Sequence, residues 1–185
     1  MRPTALLART ALVGLSTAAL TVGLAASASA ATVGRTVTES GVTYQLSVTA
    51  PSTVAVAGEN VTVTGSGFND GQGIYVGLCV IPAGVDPADP ATFTDKPTPC
   101  LGGQDEAGTT GASHWINSDW YWLSPSNSSP YDDGGSFSVP IHVKPTVAGG
   151  VTCDQNGVKC AIVTRADHYN TGNRNYDTYV PVTFQ

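Results

Sequence analysis

Short segments in which large apolar residues alternate with polar ones recur along this 185-residue chain, and they constrain its fold more than any other feature. Period-two alternation is typical of β-strands that bury one face and expose the other. The predicted strands are residues 44–50, 54–56, 60–64, 74–81, 136–143, 159–164 and 178–184. No window of eleven residues after position 30 has a convincing 3.6-residue period, so helices are not expected to form the core.

Seven short strands separated by turn residues predict one all-β domain, a seven-stranded immunoglobulin-like antiparallel β-sandwich. Residues 74–81 form a dense apolar run, which favours a central strand. Pro140 lies within the alternation of residues 136–143 and should place that strand at a sheet edge or a bulge. Only 12% of the residues are charged, and Gly and Pro together number 33, which fits short strands joined by turns.

The first thirty residues have the organisation of a secretory signal peptide. Arg2 and Arg9 supply a basic start, residues 11–26 are apolar, and Ala28-Ser29-Ala30 fits the small-x-small cleavage pattern. The apolar stretch is short and has no stop-transfer flank, so we interpret it as a removed signal rather than a membrane anchor. The predicted organisation is a signal at 1–30, an N-terminal extension at 31–43 that forms either a strand or a tail, and a domain at 44–185.

The charge and the apolar segments of the mature chain argue against two classes of function. Removing the signal leaves 6 basic against 14 acidic residues, a net charge of about −8. A chain this acidic, without a run of Lys or Arg, is not expected to bind nucleic acid directly. No second apolar segment approaches eighteen residues, so no membrane span is expected. We therefore expect a secreted, extracellular protein.

Four cysteines lie in the mature chain, and export favours disulfide bonds between them. Three pairings are possible, and we favour Cys79–Cys100 with Cys153–Cys160, because the Asn156-Gly157 dipeptide inside the second pair predicts a tight turn. A zinc site is disfavoured, since neither spacing resembles C-x2-C and no histidine lies at ligand spacing. We expect neither a metal nor a cofactor.

Residues 82–134 form a long, proline-rich inserted loop. Loops of this length in a compact domain are usually functional or disordered. It contains all three tryptophans, Trp115, Trp120 and Trp122, together with Tyr121. These rings are either a platform on which a sugar or flat ligand stacks, or the packing that folds the loop back onto the sandwich.

Residues 46–52, 61–68, 75–79, 151–163 and 180–184 resemble the neocarzinostatin family, the small secreted actinobacterial apoproteins that bind enediyne chromophores. The resemblance implies an immunoglobulin-like sandwich, both sequential disulfides and a ligand cleft beside the sheet. It places Val80 and Ile81, after the first cysteine, and Ala161, after the fourth, in the cleft wall. Residues 144–152 are too few for the β-ribbon that forms the other wall in that family, so the long loop is expected to replace it.

A second resemblance involves residues 96–100, the segment around Trp115, and residues 163–168. These are similar to extracellular domains of haem-transport-associated actinobacterial surface proteins. The resemblance implies a module that accompanies a haem-binding domain rather than one that holds haem itself.

Catalytic patterns have little support in the chain. Asp167-His168 and the many serines suggest a triad, but no serine lies in a G-x-S-x-G elbow. Asp132-Asp133 precedes two glycines and is typical of a turn rather than of a paired-carboxylate site. Arg165 lies just past a predicted strand, where it is expected to form an exposed ion pair with a loop carboxylate.

The sequence therefore predicts a secreted, non-enzymatic binding protein that carries an apolar or aromatic small molecule, such as an antibiotic chromophore. The alternative is an extracellular or cell-surface module whose partner is a protein or a polysaccharide. The predicted ligand-binding residues are Val80, Ile81, Trp115, Trp120, Tyr121, Trp122 and Ala161.

Overall fold

The computed structural model describes residues 29–103, 110–119 and 126–185. Its strands are β1 (Ala30–Glu39), β2 (Val42–Pro51), β3 (Thr53–Val54), β4 (Glu59–Ser66), β5 (Ile74–Val80), β6 (Ser113–Ile116), β7 (Ser128–Ser129), β8 (Phe137–Val143), β9 (Cys160–Ala166) and β10 (Thr178–Phe184). Two short 3-10 helices, Pro90–Thr92 and Ala148–Gly150, complete the regular structure of these residues. Residues 1–28 of the predicted signal peptide and Trp120, Tyr121 and Trp122 lie outside the described residues.

The strands form two sheets that pack face to face. One sheet has four strands in the order β1-β2-β4-β8, and the other has six in the order β3-β10-β9-β5-β6-β7. Neighbouring strands are antiparallel except for the short β3–β10 and β6–β7 pairs, which are parallel. The structure therefore confirms an all-β sandwich.

The core lies between the sheets, and its residues alternate along the strands as the sequence predicts. Leu46, Val48 and Val63 contribute from the four-stranded sheet, and Leu78 and Ile162 from the six-stranded one, each at most 2% exposed. Burying a side chain of this size stabilises the fold by roughly 1.5–3 kcal/mol. β5 lies between β9 and β6, the central position that its dense apolar run predicts. All but its last residue are buried, because Ile74, Val76 and Leu78 face the core and Cys79 belongs to an apolar cluster on the opposite face.

Seven of the ten described strands are the predicted ones, and β1, β6 and β7 are additional. The extension whose form was left open is β1, and it pairs with β2 along its whole length. Ser40 and Gly41 connect these strands with φ values of 51° and 82°, the left-handed geometry of a two-residue hairpin. Pro140 lies in β8, an edge strand, as predicted.

Both predicted disulfides are present and use all four cysteines, Cys79–Cys100 and Cys153–Cys160. The second spans the predicted tight turn, in which Asn156 and Gly157 have φ values of 51° and 79°. The cysteines are therefore not available as thiolate ligands for zinc.

Removing the Cys79–Cys100 bridge should destabilise the protein more than removing the other one. Chain-entropy arguments give about 3.4 kcal/mol for the longer loop and about 2.5 kcal/mol for the shorter one. Urea unfolding of C79A/C100A and C153A/C160A, followed by far-UV circular dichroism, checks this order. A larger loss in C153A/C160A would contradict it.

Candidate functional site

The outer face of the six-stranded sheet, opposite the core, is covered by part of the inserted loop. Residues 81–99, which we call the strap, leave the end of β5 and return to the sheet at Cys100, where the disulfide closes them. Beneath the strap, an apolar cluster contains Cys79, Ala161, Val163 and Tyr179 from the sheet and Phe93 from the strap.

Phe93 attaches the strap to the sheet. Its ring packs edge-on against Tyr179 with centroids 4.7 Å apart, and the Arg35 guanidinium of β1 lies 5.0 Å from its centroid. Asp89 caps the 3-10 helix Pro90–Thr92 by accepting a hydrogen bond from the Ala91 amide at 3.0 Å. This capped turn ends at Phe93 and presents its ring to the sheet.

An apolar groove of about 620 Å³ lies where the strap leaves β5. Its walls are the start of the strap, the Cys153–Cys160 turn and the end of β10. They comprise Val80, Ile81, Pro82, Ala83, Val85, Pro87, Asp154, Gly157, Val158, Lys159, Cys160, Pro181, Val182 and Thr183. Val80 and Ile81, two of the predicted ligand-binding residues, line this groove.

Ala161 is not exposed in this groove. It is fully buried in the cluster that contains Phe93, because the strap covers the part of β9 on which it lies. A ligand could contact Ala161 only after the strap had moved.

Trp115 is placed as a packing residue. It is 6% exposed, and its indole Nε1 donates a hydrogen bond to Asp167 Oδ2 at 3.1 Å. Its ring contacts those of Tyr75, His168 and Tyr169. Of the two interpretations of the loop aromatics, this tryptophan fits the one in which the ring folds the loop onto the sheet.

A cluster of charged groups lies beside the strap. Asp177 is fully buried, and its Oδ2 accepts a hydrogen bond from Arg174 at 2.8 Å, whereas its Oδ1 has no hydrogen-bond partner. Burial raises the pKa of Asp177 to about 7, against the opposing effects of Arg174, Arg35 and Arg165. Burial also lowers the pKa of Arg35 and of Arg165.

Arg165 differs from its expected position. It was predicted to form an exposed ion pair, but it is 3% exposed in β9, with its guanidinium 5.2 Å from the Tyr75 ring centroid. The side chain points to the outer face of the sheet, which the inserted loop covers.

Asp167 and His168, the two residues that suggested a triad, each form a hydrogen bond with an aromatic side chain. Asp167 binds the Trp115 indole, and His168 Nδ1 lies 2.7 Å from the Tyr75 hydroxyl. Within the described ranges, no group of three or more His, Cys, Asp or Glu side chains is arranged to hold a metal ion. The same part of the chain has no helix long and apolar enough to cross a membrane.

The sequence patterns did not identify four residues that pack on the outer face of the six-stranded sheet or form the charged cluster: Phe93, Arg35, Arg174 and Asp177. A signal existed for Phe93, since Asp89-Pro90 is a typical helix start and predicts a turn just before the ring. The charged cluster has no local signal, because β1, β9 and the segment before β10 meet only in the folded chain.

No family model and no curated protein matches the chain. Among solved structures, the chain is similar to that of macromomycin, at 20% identity and a TM-score of 0.43. The similarity covers 76% of this chain and 99% of macromomycin. A likeness at this level carries no argument about function.

Proposed function

We propose that this protein is a non-catalytic binding protein that holds an apolar small molecule in the groove beside β5 and the strap. The observation that carries the proposal is the groove itself. Its volume of about 620 Å³ lies within the range of small-molecule sites, roughly 300–1,000 Å³.

The lining of the groove favours an apolar ligand. Val80, Ile81, Val85 and Val158 are half-buried, so each keeps apolar surface that a ligand can cover. Covering such surface contributes about 25 cal/mol per Å² removed from water, before the costs of association. The resemblance to the neocarzinostatin family suggests an aromatic chromophore as the kind of molecule concerned.

Charge is confined to one pair in the groove. Lys159 Nζ and Asp154 Oδ1 lie 3.8 Å apart, and the Lys159 side chain is 72% exposed. The two charges compensate each other in solvent, so they add polarity at the rim without setting a strong preference for a charged ligand.

Two disulfides and one hydrogen bond hold the groove walls in place before a ligand arrives. Cys160 lies in one wall and is bonded to Cys153, while Val80 is directly next to the bridged Cys79. The Ile81 amide also donates a hydrogen bond to the Lys159 carbonyl oxygen at 2.9 Å, which joins the two walls. A wall ordered in advance costs less conformational entropy on binding.

The test is a titration of the oxidised mature protein with 1-anilinonaphthalene-8-sulfonate, an aromatic probe that fluoresces in apolar sites. We expect saturable binding, with amide NMR shifts concentrated at residues 80–85, 157–160 and 181–183. Ile81→Asp and Val158→Asp, from opposite walls, should each weaken binding at least 10-fold.

The matched control is Val42→Asp, which places the same charge on a side chain that is 51% exposed, lies in the four-stranded sheet and does not line the groove. This variant should bind the probe like the parent protein. Equal binding by Ile81→Asp and Val158→Asp in folded protein, or NMR shifts confined to another surface, would exclude the groove as the site.

A further inference from the structure

A second concave surface lies at the opposite end of β5 from the groove. It has a volume of about 310 Å³ and is lined by Gln72, Asn117, Asp119, Asp167, Tyr169 and Asn170, with Gly71 and Gly73. We call it the amide pocket. These residues lie in the turn just before β5 and directly after the ends of β6 and β9, so three neighbouring strands position them.

Three hydrogen bonds and one close contact fix the backbone around the amide pocket. The Asp167 amide donates to the Gly73 carbonyl at 3.0 Å, and the Asp167 carboxylate accepts from the Trp115 indole and from the Tyr169 amide. A Cβ at Gly73 would lie 2.1 Å from Asp167 Oδ2, so the close approach of these segments requires glycine there. Asp167 is thus a structural anchor beneath the pocket.

The side chains of Gln72, Asp119, Tyr169 and Asn170 are exposed or half-buried, whereas Asn117 is buried behind them. Asn170 Nδ2 donates to Gln72 Oε1 at 2.9 Å, and the Asn117 side-chain oxygen accepts from the Asp119 amide at 3.0 Å. Side-chain amides both donate and accept hydrogen bonds, which matches ligands with several hydroxyl groups.

Tyr169 supplies an apolar surface at the rim. Its side chain is 60% exposed, and its ring is held beside His168 at 4.0 Å and Trp115 at 6.4 Å between centroids. An exposed aromatic ring offers a stacking surface for the C–H face of a pyranose. No Lys or Arg lines the pocket, so its chemistry does not favour an anion.

We propose that the amide pocket binds a neutral sugar unit, with the Tyr169 ring stacked on the pyranose face and the side chains of Gln72 and Asn170 bound to its hydroxyl groups. This site is separate from the apolar groove and independent of it. It takes a carbohydrate, either as a free oligosaccharide or as part of a polymer.

The test uses cellohexaose and chitohexaose as soluble probes, and insoluble cellulose and chitin in pull-down assays, with the oxidised mature protein. We expect saturable binding of at least one oligosaccharide, with amide NMR shifts at residues 71–73, 117–119 and 167–170. Binding of the soluble probes alone indicates free oligosaccharides, and retention on a polymer indicates a polysaccharide.

Tyr169→Ala should weaken that binding at least 10-fold, whereas Tyr169→Phe, which keeps the ring, should change it less than 3-fold. Asn170→Ala should weaken binding several-fold. The proposal is overturned if neither oligosaccharide binds saturably and the protein is retained on neither polymer. It is also overturned if Tyr169→Ala binds like the parent protein.

The groove variant Ile81→Asp separates the two sites. It should bind the oligosaccharide like the parent protein, and Tyr169→Ala should bind the aromatic probe like the parent. Failure of the sugar site therefore leaves the groove proposal standing, and failure of the groove leaves the sugar site standing.

Discussion

Phe93→Ala should lower the free energy of unfolding by about 3–5 kcal/mol, the usual cost of removing a buried phenylalanine ring. Phe93 is 6% exposed and makes the edge-on contact with Tyr179 that holds the strap on the sheet. Its loss leaves a cavity over Ala161 and Val163 and removes the cation–π contact with Arg35. Urea unfolding followed by circular dichroism measures the loss.

Phe93→Leu keeps an apolar side chain at the same place and should lose less than half as much stability. Val56→Ala truncates a side chain that is 57% exposed and should be close to neutral. A loss below 1 kcal/mol in Phe93→Ala would show that the ring does not hold the strap.

The same substitution connects stability with binding. The strap supplies Pro82, Val85 and Pro87 to the apolar groove, although Phe93 is not part of the groove lining. Hydrogen exchange of the strap amides should accelerate in Phe93→Ala, and the affinity for the aromatic probe should fall with it.

The second large effect is a dependence of stability on pH that comes from Asp177. Its pKa is raised by burial from 3.8 to about 7 in the folded protein. Between about pH 4 and pH 7 the folded state therefore holds a proton that the unfolded state has released. The contribution of Asp177 to stability is full below pH 4 and falls as the pH rises through 7, by up to about 4 kcal/mol.

Asp177→Asn removes this titration and keeps the shape of the side chain. The free energy of unfolding of the parent minus that of the variant should fall between pH 4 and pH 8, since all other groups titrate in both proteins. Arg174, Arg35, Arg165 and Tyr179 face the carboxyl group, and the arginines oppose the shift. If the unfolding free energy of the parent minus that of the variant instead rises between pH 4 and pH 8, the effect of the ion pair with Arg174 on the Asp177 pKa outweighs that of burial.

The strands that the sequence predicted are those whose residue pattern can be recognised within one short segment. In β2 and β8, one side of each strand faces the other sheet, so the alternation of apolar and polar residues is visible locally. The second disulfide was predictable for a similar reason, because the Asn156-Gly157 turn brings its cysteines together over seven residues. The hairpin between β1 and β2 carried a comparable signal in Ser40-Gly41 and was missed.

The candidate site was predictable only in part. Val80, the last residue of β5, and Ile81, which follows it, line the groove, and their role in binding stays a prediction from the family resemblance. Ala161 was expected in the same wall, yet Phe93, sixty-eight residues earlier in the chain, belongs to the cluster that buries it. Tyr169 and Asn170 were not selected, because a lone tyrosine in a polar loop has no pattern that distinguishes it.

What the sequence by itself determined is the all-β class and the main strands, and it favoured the Cys153–Cys160 pair, since these depend on periodicity and turn chemistry over short distances. The tertiary structure alone decided which parts of the outer face of the six-stranded sheet are covered and which remain accessible. Folding of the strap buries Ala161 under an aromatic contact. The approach of β1, β9 and the segment before β10 places Arg35, Arg165 and Arg174 near Asp177, and concave surfaces remain at opposite ends of β5. The physical reason is that burial on the outer face depends on packing between distant segments, which no local pattern records.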